Sequence, residues 1–273
     1  MKNTLVITLI LIASTFAHAE VFSCRVDGRV VFTDDRKKCG SEVSSVDLNL
    51  KEDKRANYRY PERKYEDRSG AYSIFIESPE SPKDKQRLNR AVNRLNKALD
   101  LIFKKIPISS HSYLKDADFY IMIGPKAKLG GEKSGLRYFP KSGDSKLLIG
   151  DRRWTHSIVI YNVENFLWLP DLWVNKSVMH ELAHAWHYED WPTNYPVLRD
   201  AWMSSRQNSL YLAQEDVKGR ILKPAYASKN EKEYFSELSA IYFVGGNYYP
   251  FDRIELKKYD PTGYSMVELV WGL

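Results

Sequence analysis

The stretch HELAHAWH, residues 180–187, decides what kind of fold this sequence encodes. His180 and His184 are four residues apart, so on a helix both imidazoles lie on one face and can reach a single metal ion. Glu181 lies on the neighbouring stripe, where it can take a proton from metal-bound water. The spacing therefore predicts a helix that carries two metal ligands and a general base.

A catalytic zinc site needs a third protein ligand, with one position left open for water. His187 is a poor candidate, because it lies seven residues, or about 10 Å of helix rise, beyond His180. The zincin pattern with a distant third histidine also has a glycine that breaks the helix, and no glycine occurs here. We interpret His187 as a residue of the substrate pocket or of the packing.

A second acidic pair follows downstream on another predicted helix. Glu233 and Glu237 are four residues apart and therefore face the same way. One carboxylate can bind zinc while the other accepts the ring N–H of a ligating histidine. A solvated face is the alternative, but like charges at this spacing repel. Tyr226, seven residues before Glu233, can donate a hydrogen bond to the oxyanion that forms during peptide attack.

These two segments, HELAHAW and the later AYASKNEKEYFSEL, resemble the catalytic domain of the anthrax lethal factor-type metallopeptidases and the related Pro-Pro endopeptidases. The resemblance spans residues 180–243 and implies a similar fold from residue 71 onward. It implies that one Zn²⁺ is bound by His180, His184 and Glu233, that Glu181 is the base, that Tyr226 assists, and that Glu237 supports a ligand. It also implies a zinc metallopeptidase that hydrolyses peptide or protein substrates.

The order of the predicted elements indicates an α+β fold with a zincin-like domain over residues 71–273. Strands are predicted at residues 72–76, 119–123, 146–149 and 157–163, a glycine- and lysine-rich loop at 124–143, and one long amphipathic helix that begins at Ser81-Pro82. A C-terminal helical lobe follows the histidine motif, and Asp260-Pro261 begins its last helix. Residues 157–163 are the predicted edge strand for an extended peptide substrate.

The first nineteen residues predict a signal peptide. Lys2 precedes an apolar run, and Ala-His-Ala stands before Glu20. The sequence therefore predicts an exported protein, periplasmic or secreted, and the residue directly after the predicted cleavage site is Glu20 rather than the cysteine that would carry a lipid anchor. In an oxidising compartment Cys24 and Cys39 can form a disulfide bond. This bond would close a loop of about 15 residues and stabilise the folded chain by about 3 kcal/mol.

Two short regions are predicted to precede the main domain. Residues 20–50 form a small β module in which Asp27-Gly28 turns a hairpin between strands at 22–26 and 29–33. This module resembles one of unknown function at the N-termini of many exported bacterial proteins. Residues 51–70 contain twelve charged residues and predict a solvated linker.

Composition excludes several other classes of protein. The 273 residues include 41 Lys and Arg against 35 Asp and Glu, and this mild excess gives no support to nucleic-acid binding. Two cysteines exclude a zinc finger built on thiolates. Three alternatives stay open: a non-catalytic exported binding protein with a zincin fold, an amidase that acts on cell-wall peptides, and an adhesin. Glu181 and Tyr226 favour an enzyme, while the sequence leaves the substrate and the oligomeric state open.

Overall fold

The structure, a computed structural model, describes residues 63–123, 135–141, 151, 153–190, 195–222 and 224–273, and the backbone of three strands nearer the N-terminus. The chain divides into two units, Met1–Glu62 and Arg63–Leu273. The predicted signal peptide, the side chains of the predicted Cys24–Cys39 pair and the predicted strand at 146–149 lie outside the described residues.

The first unit contains a three-stranded antiparallel sheet. Its strands are β1 (Phe22–Val26), β2 (Arg29–Thr33) and β3 (Val43–Ser45), in the order β2-β1-β3. Val26 pairs with Arg29 in the register of β1 and β2. The predicted hairpin strands are therefore confirmed with the bounds that the Asp27-Gly28 signal indicated.

The second unit is α+β, as the order of predicted elements indicated, and it is built on a five-stranded mixed sheet. Its strands are β4 (Tyr65–Asp67), β5 (Ile74–Glu77), β6 (Asp118–Ile121), β7 (Leu136–Phe139) and β8 (Ser157–Ile160), in the order β4-β5-β6-β8-β7. The three central strands are parallel, and the two outer strands run antiparallel to their neighbours.

The prediction of a linker over residues 51–70 was wrong for its last part. Strand β4 lies inside this range and pairs with β5, so the second unit begins at Arg63 rather than at Ala71. Among the described residues no strand pairs with the other edge of β4, and such an outer position tolerates charged residues. The ring of Tyr65 anchors the strand, because its centroid lies 4.9 Å from that of Tyr120.

The prediction of the edge strand was also wrong. Strand β8 lies inside the sheet, between β6 and β7, so the edge is β7, which begins and ends within the predicted loop 124–143. The physical reason is the apolar character of two β7 residues. Tyr138 and Phe139 are buried, and their burial holds this short strand against β8 despite the glycine-rich flanks.

Eight helices lie among the described residues. They are α1 (Pro82–Phe103), α2 (His111–Lys115), α3 (Val163–Trp168), α4 (Asp171–Asp190), α5 (Pro196–Gln207), α6 (Glu231–Phe243), α7 (Arg253–Tyr259) and α8 (Pro261–Trp271). A two-stranded ribbon, β9 (Gln214–Glu215) with β10 (Ile221–Leu222), follows α5. None of the helices in this part of the chain is long and apolar enough to cross a membrane.

The helix α1 begins as the sequence predicts. The Ser81 side chain accepts a hydrogen bond from the backbone N–H of Asp84 at 3.1 Å, and Pro82 occupies the first turn. The apolar stripe of α1 is buried in the core together with residues of β5 and β6, such as Ile74 and Phe119. This packing covers one face of the sheet.

Two helices of the second unit bring the sequence motifs together. Helix α4 carries residues 180–187, and α6, which packs against it, is buried from Tyr234 to Phe243. Helix α8 begins at Pro261, as predicted, and Asp260 accepts a hydrogen bond from the N–H of Gly263 at 2.8 Å. Because α5, α7 and α8 also pack on α6, its position against α4 is set by several neighbours.

Candidate metal centre

Three predicted ligands converge between α4 and α6. The Nε2 atoms of His180 and His184 lie 3.1 and 3.2 Å from the same oxygen, Oε2 of Glu233. The ligand atoms of these three residues all lie within 4.8 Å of one another. Since all three donors face one point, they fit a single metal ion.

The start of α6 places Glu233 at this point. Asn230 caps the helix, and its side chain accepts a hydrogen bond from the N–H of Glu233 at 2.9 Å. Glu233 therefore lies in the first turn, where the helix dipole favours a negative charge. Its second oxygen lies 3.6 Å from the ammonium of Lys229.

Both histidines have a partner on their other ring nitrogen. His180 Nδ1 lies 3.0 Å from Glu237 Oε1, although the ring is turned out of line for a regular hydrogen bond. His184 Nδ1 is hydrogen-bonded to Ser236 Oγ at 3.0 Å. These contacts on Nδ1 leave Nε2 facing Glu233, which is the arrangement that metal-ligating histidines adopt. The sequence reasoning missed Ser236, since nothing in its local pattern distinguishes it.

The electrostatics of the centre favour a cation. Burial lowers the pKa of His180, but the carboxylates of Glu233 and Glu237 outweigh it and raise this pKa to about 10. Burial raises the pKa of Glu233, but His180 and His184 hold it well below its usual range. A place that stabilises a proton this strongly also suits a metal ion, and two imidazoles with one carboxylate are a donor set that zinc accepts.

The predicted base and the predicted phenol border the same centre. Glu181 is buried, and its Oε2 accepts a hydrogen bond from the backbone N–H of Tyr138 at 2.7 Å. Tyr226 is 46% exposed, and its ring centroid lies 5.7 Å from that of His180. Burial and then the charge of Glu233 raise the pKa of Tyr226, so its phenol is protonated at neutral pH and can donate.

A cavity of about 320 Å³ opens beside His180 and Glu181. It is lined by Trp173, Lys176, Ser177, His180, Glu181, Tyr226, Glu237 and Tyr248. The sequence reasoning missed Lys176 and Tyr248. A signal existed for Lys176, because it precedes His180 by four residues and so lies on the same face of α4.

His187 lies apart from the three converging groups. Its side chain is 1% exposed and is not among those that line the cavity. Its ring packs at 5.9 Å from that of Phe235, and among the described residues neither ring nitrogen has a hydrogen-bond partner. Of the two interpretations that the sequence allowed, the structure supports packing.

The burial of His187 predicts an acid-sensitive fold. Burial, followed by the charge of His184, lowers the pKa of His187 to about 4. As the pH falls, the imidazole of His187 therefore becomes protonated near pH 6.5 in the unfolded chain but only near pH 4 in the folded chain. The contribution of the neutral ring to the free energy of unfolding is fully present above pH 6.5. It decreases by up to about 3 kcal/mol as the pH falls from 6.5 to about 4.

The variant His187→Leu tests this pH dependence. We expect the free energy of unfolding of the variant, measured by urea titration with chelator present, to fall less between pH 7 and pH 4.5 than that of wild type. Equal losses over this range would contradict the assignment of acid sensitivity to His187.

The described fold and site define an α+β protein with a candidate centre for one metal ion. Comparisons with models of protein families, with curated proteins and with solved structures give no match. The geometry of the centre and the sequence pattern therefore carry the functional argument.

Proposed function

We propose that this protein is a zinc-dependent metallopeptidase with a zincin-like fold that hydrolyses peptide bonds. The observation that carries the proposal is the convergence of His180, His184 and Glu233, with Glu181 beside them. When bound, zinc supplies a Lewis acid that polarises a carbonyl and lowers the pKa of water. A site that only binds metal has no use for a carboxylate such as Glu181, which lines the cavity without belonging to the converging set.

In the proposed reaction Glu181 moves the proton. Its carboxylate takes a proton from the attacking water and passes it to the leaving amine. One oxygen of Glu181 accepts the N–H of Tyr138, so this hydrogen bond orients the carboxylate relative to strand β7. The role needs an ionised carboxylate within reach of the substrate, and the position of Glu181 at the cavity supports it.

Strand β7 is the proposed platform for the substrate backbone. The N–H of Tyr138 is directed toward Glu181 and hence away from β8. Alternate residues of a strand direct their peptide groups the same way, so Leu136 presents its N–H and C=O at the outer edge. An extended peptide can pair with these groups, which would hold its carbonyl near the base.

Tyr226 is proposed to donate a hydrogen bond to the oxyanion, which leads to a prediction for Tyr226→Phe. We expect kcat for peptide hydrolysis to fall about 100-fold, because one donor to the transition state is lost. The KM should change less, since the phenol is needed mainly as charge develops on the oxygen. Steady-state kinetics on a fluorogenic peptide measures both. A similar loss in Tyr249→Phe, an exposed tyrosine that does not line the cavity, would contradict a specific role.

Export is part of the proposal. It rests on the sequence pattern of residues 1–19, and the His and Glu donors suit an oxidising compartment because neither is a thiol. An amidase for cell-wall peptides would use the same metal chemistry, and a non-catalytic binding protein would keep the metal without the hydrolysis.

One experiment tests the proposal against these two alternatives. The purified protein is analysed for metal content by mass spectrometry and incubated with casein and, separately, with peptidoglycan. We expect about one zinc per chain, cleavage of casein, loss of cleavage with a chelator and recovery with added zinc. Release of peptides from peptidoglycan alone would favour the amidase. Bound zinc without hydrolysis of either substrate would overturn the enzyme assignment.

A further inference from the structure

A buried lysine lies close to the candidate metal centre. Lys176 precedes His180 by one helical turn on α4, and its side chain is 10% exposed. Its Nζ lies 2.7 Å from Glu237 Oε2. A buried ammonium is tolerated only when it is paired, and Glu237 provides the pair.

Glu237 joins this lysine to a histidine of the centre. One of its oxygens contacts Lys176, and the other lies 3.0 Å from His180 Nδ1. The three side chains therefore form a continuous chain of contacts that ends at a predicted metal ligand.

Charge balance gives a second reason for a lysine at this place. The carboxylates of Glu233 and Glu237 lie 3.1 and 3.0 Å from the two ring nitrogens of His180, and Glu181 lines the same cavity as Glu237. The ammonium of Lys229 lies 3.6 Å from Glu233, and the ammonium of Lys176 lies 2.7 Å from Glu237. Lys176 thereby limits the repulsion that would otherwise push Glu237 away from the other two acids.

We propose that Lys176 is a positioning residue, which holds Glu237 in place so that Glu237 orients the ring of His180 toward the metal. This inference rests on the proposed metal centre. In this role Lys176 does not contact the reacting bond of the substrate. Its side chain borders the cavity, and its Nζ lies 5.7 Å from the ring centroid of Trp173.

A double-mutant cycle on zinc affinity tests the inference. Zinc affinity is measured by competition with a chelating dye for wild type, Lys176→Met, Glu237→Gln and the double variant. Loss of a partner behind a ligating histidine lowers metal affinity 10–100-fold in other sites. We expect Lys176→Met to lower it about 10-fold in the wild-type background and less than about 3-fold in the Glu237→Gln background, because the lysine acts through Glu237.

A spectroscopic measurement and a control separate positioning from general effects. The visible absorption of the cobalt-substituted protein reports ligand geometry, and we expect it to change in Lys176→Met. Lys232→Met removes a lysine that contacts Tyr188 instead of Glu237, so its affinity and spectrum should match those of wild type. If Lys176→Met does not fold, Lys176→Gln, which retains a hydrogen-bond donor, replaces it and should show a smaller loss in the same direction.

The outcomes distinguish this inference from the proposed function. The positioning role would be overturned if Lys176→Met lowered zinc affinity by the same factor in both backgrounds, or if it changed neither the zinc affinity nor the cobalt spectrum. The proposed metal centre would stand in either case. A wild-type protein that binds no zinc would overturn both. A fall in thermal stability alone, with affinity and spectrum unchanged, would make Lys176 a purely structural residue.

Discussion

The variant Glu181→Gln is expected to hydrolyse peptides about 1000-fold more slowly than wild type while it keeps its zinc. Glutamine cannot take a proton from water, so the proposed general base is lost. The amide oxygen can still accept the hydrogen bond that Tyr138 donates to Glu181, so the contact between α4 and β7 is preserved. Zinc should stay bound, because Glu181 is not one of the three converging groups.

Zinc content, thermal unfolding and kcat/KM for a fluorogenic peptide test this expectation together. Glu164→Gln is the matched control, because Glu164 is an exposed glutamate on α3 that pairs with Arg87, and its change should leave zinc content and kcat/KM unchanged. Hydrolysis by Glu181→Gln at the wild-type rate would remove the base from the mechanism. Loss of zinc from the same variant would instead make Glu181 a ligand.

The second large effect is expected for Glu233→Ala, in which zinc affinity should fall by about 1000-fold or more. Loss of a partner behind a ligand already lowers affinity 10–100-fold, and the loss of a direct ligand must exceed this. Glu237→Ala should therefore show the smaller loss, because its carboxylate contacts Nδ1 of His180 and not the converging atoms. Activity should disappear in the first variant and fall in the second.

Metal content by mass spectrometry, after dialysis against a weak chelator, ranks the two variants. Glu231→Ala on the same helix is the control, since Glu231 belongs to the first turn but not to the converging set. Unchanged zinc in Glu233→Ala would place the third ligand elsewhere. If Glu237→Ala lost more zinc than Glu233→Ala, Glu237 would be the ligand and Glu233 the residue that supports a ligand.

The parts of the fold that could be predicted are those that depend on local spacing. Helix α1 follows from a cap at Ser81 and an apolar period near 3.6, both of which lie within a few turns of chain. The same holds for the four-residue spacing of His180 and His184 and of Glu233 and Glu237. The spacing along each helix predicted which side chains share a face. In the structure the histidine face of α4 lies opposite the glutamate face of α6.

The parts that could not be predicted depend on contacts between distant segments. Strand β7 has four residues within a glycine-rich stretch, and only its pairing with β8 makes it the sheet edge. Strand β4 is charged and short, and the partner that makes it a strand lies beyond the turn. The partnership of Lys176 with Glu237 likewise exists only because α4 packs on α6.

A metal ion at this centre would also act as a cross-link in the chain. Two of the converging groups belong to α4 and the third to α6, and His180 and Glu233 are 53 residues apart in sequence. An ion bound by both helices closes that loop only in the folded state, so its binding free energy adds to the stability of the fold. Chelation should then loosen the packing of α4 on α6, and exposure to proteolysis should rise as activity falls.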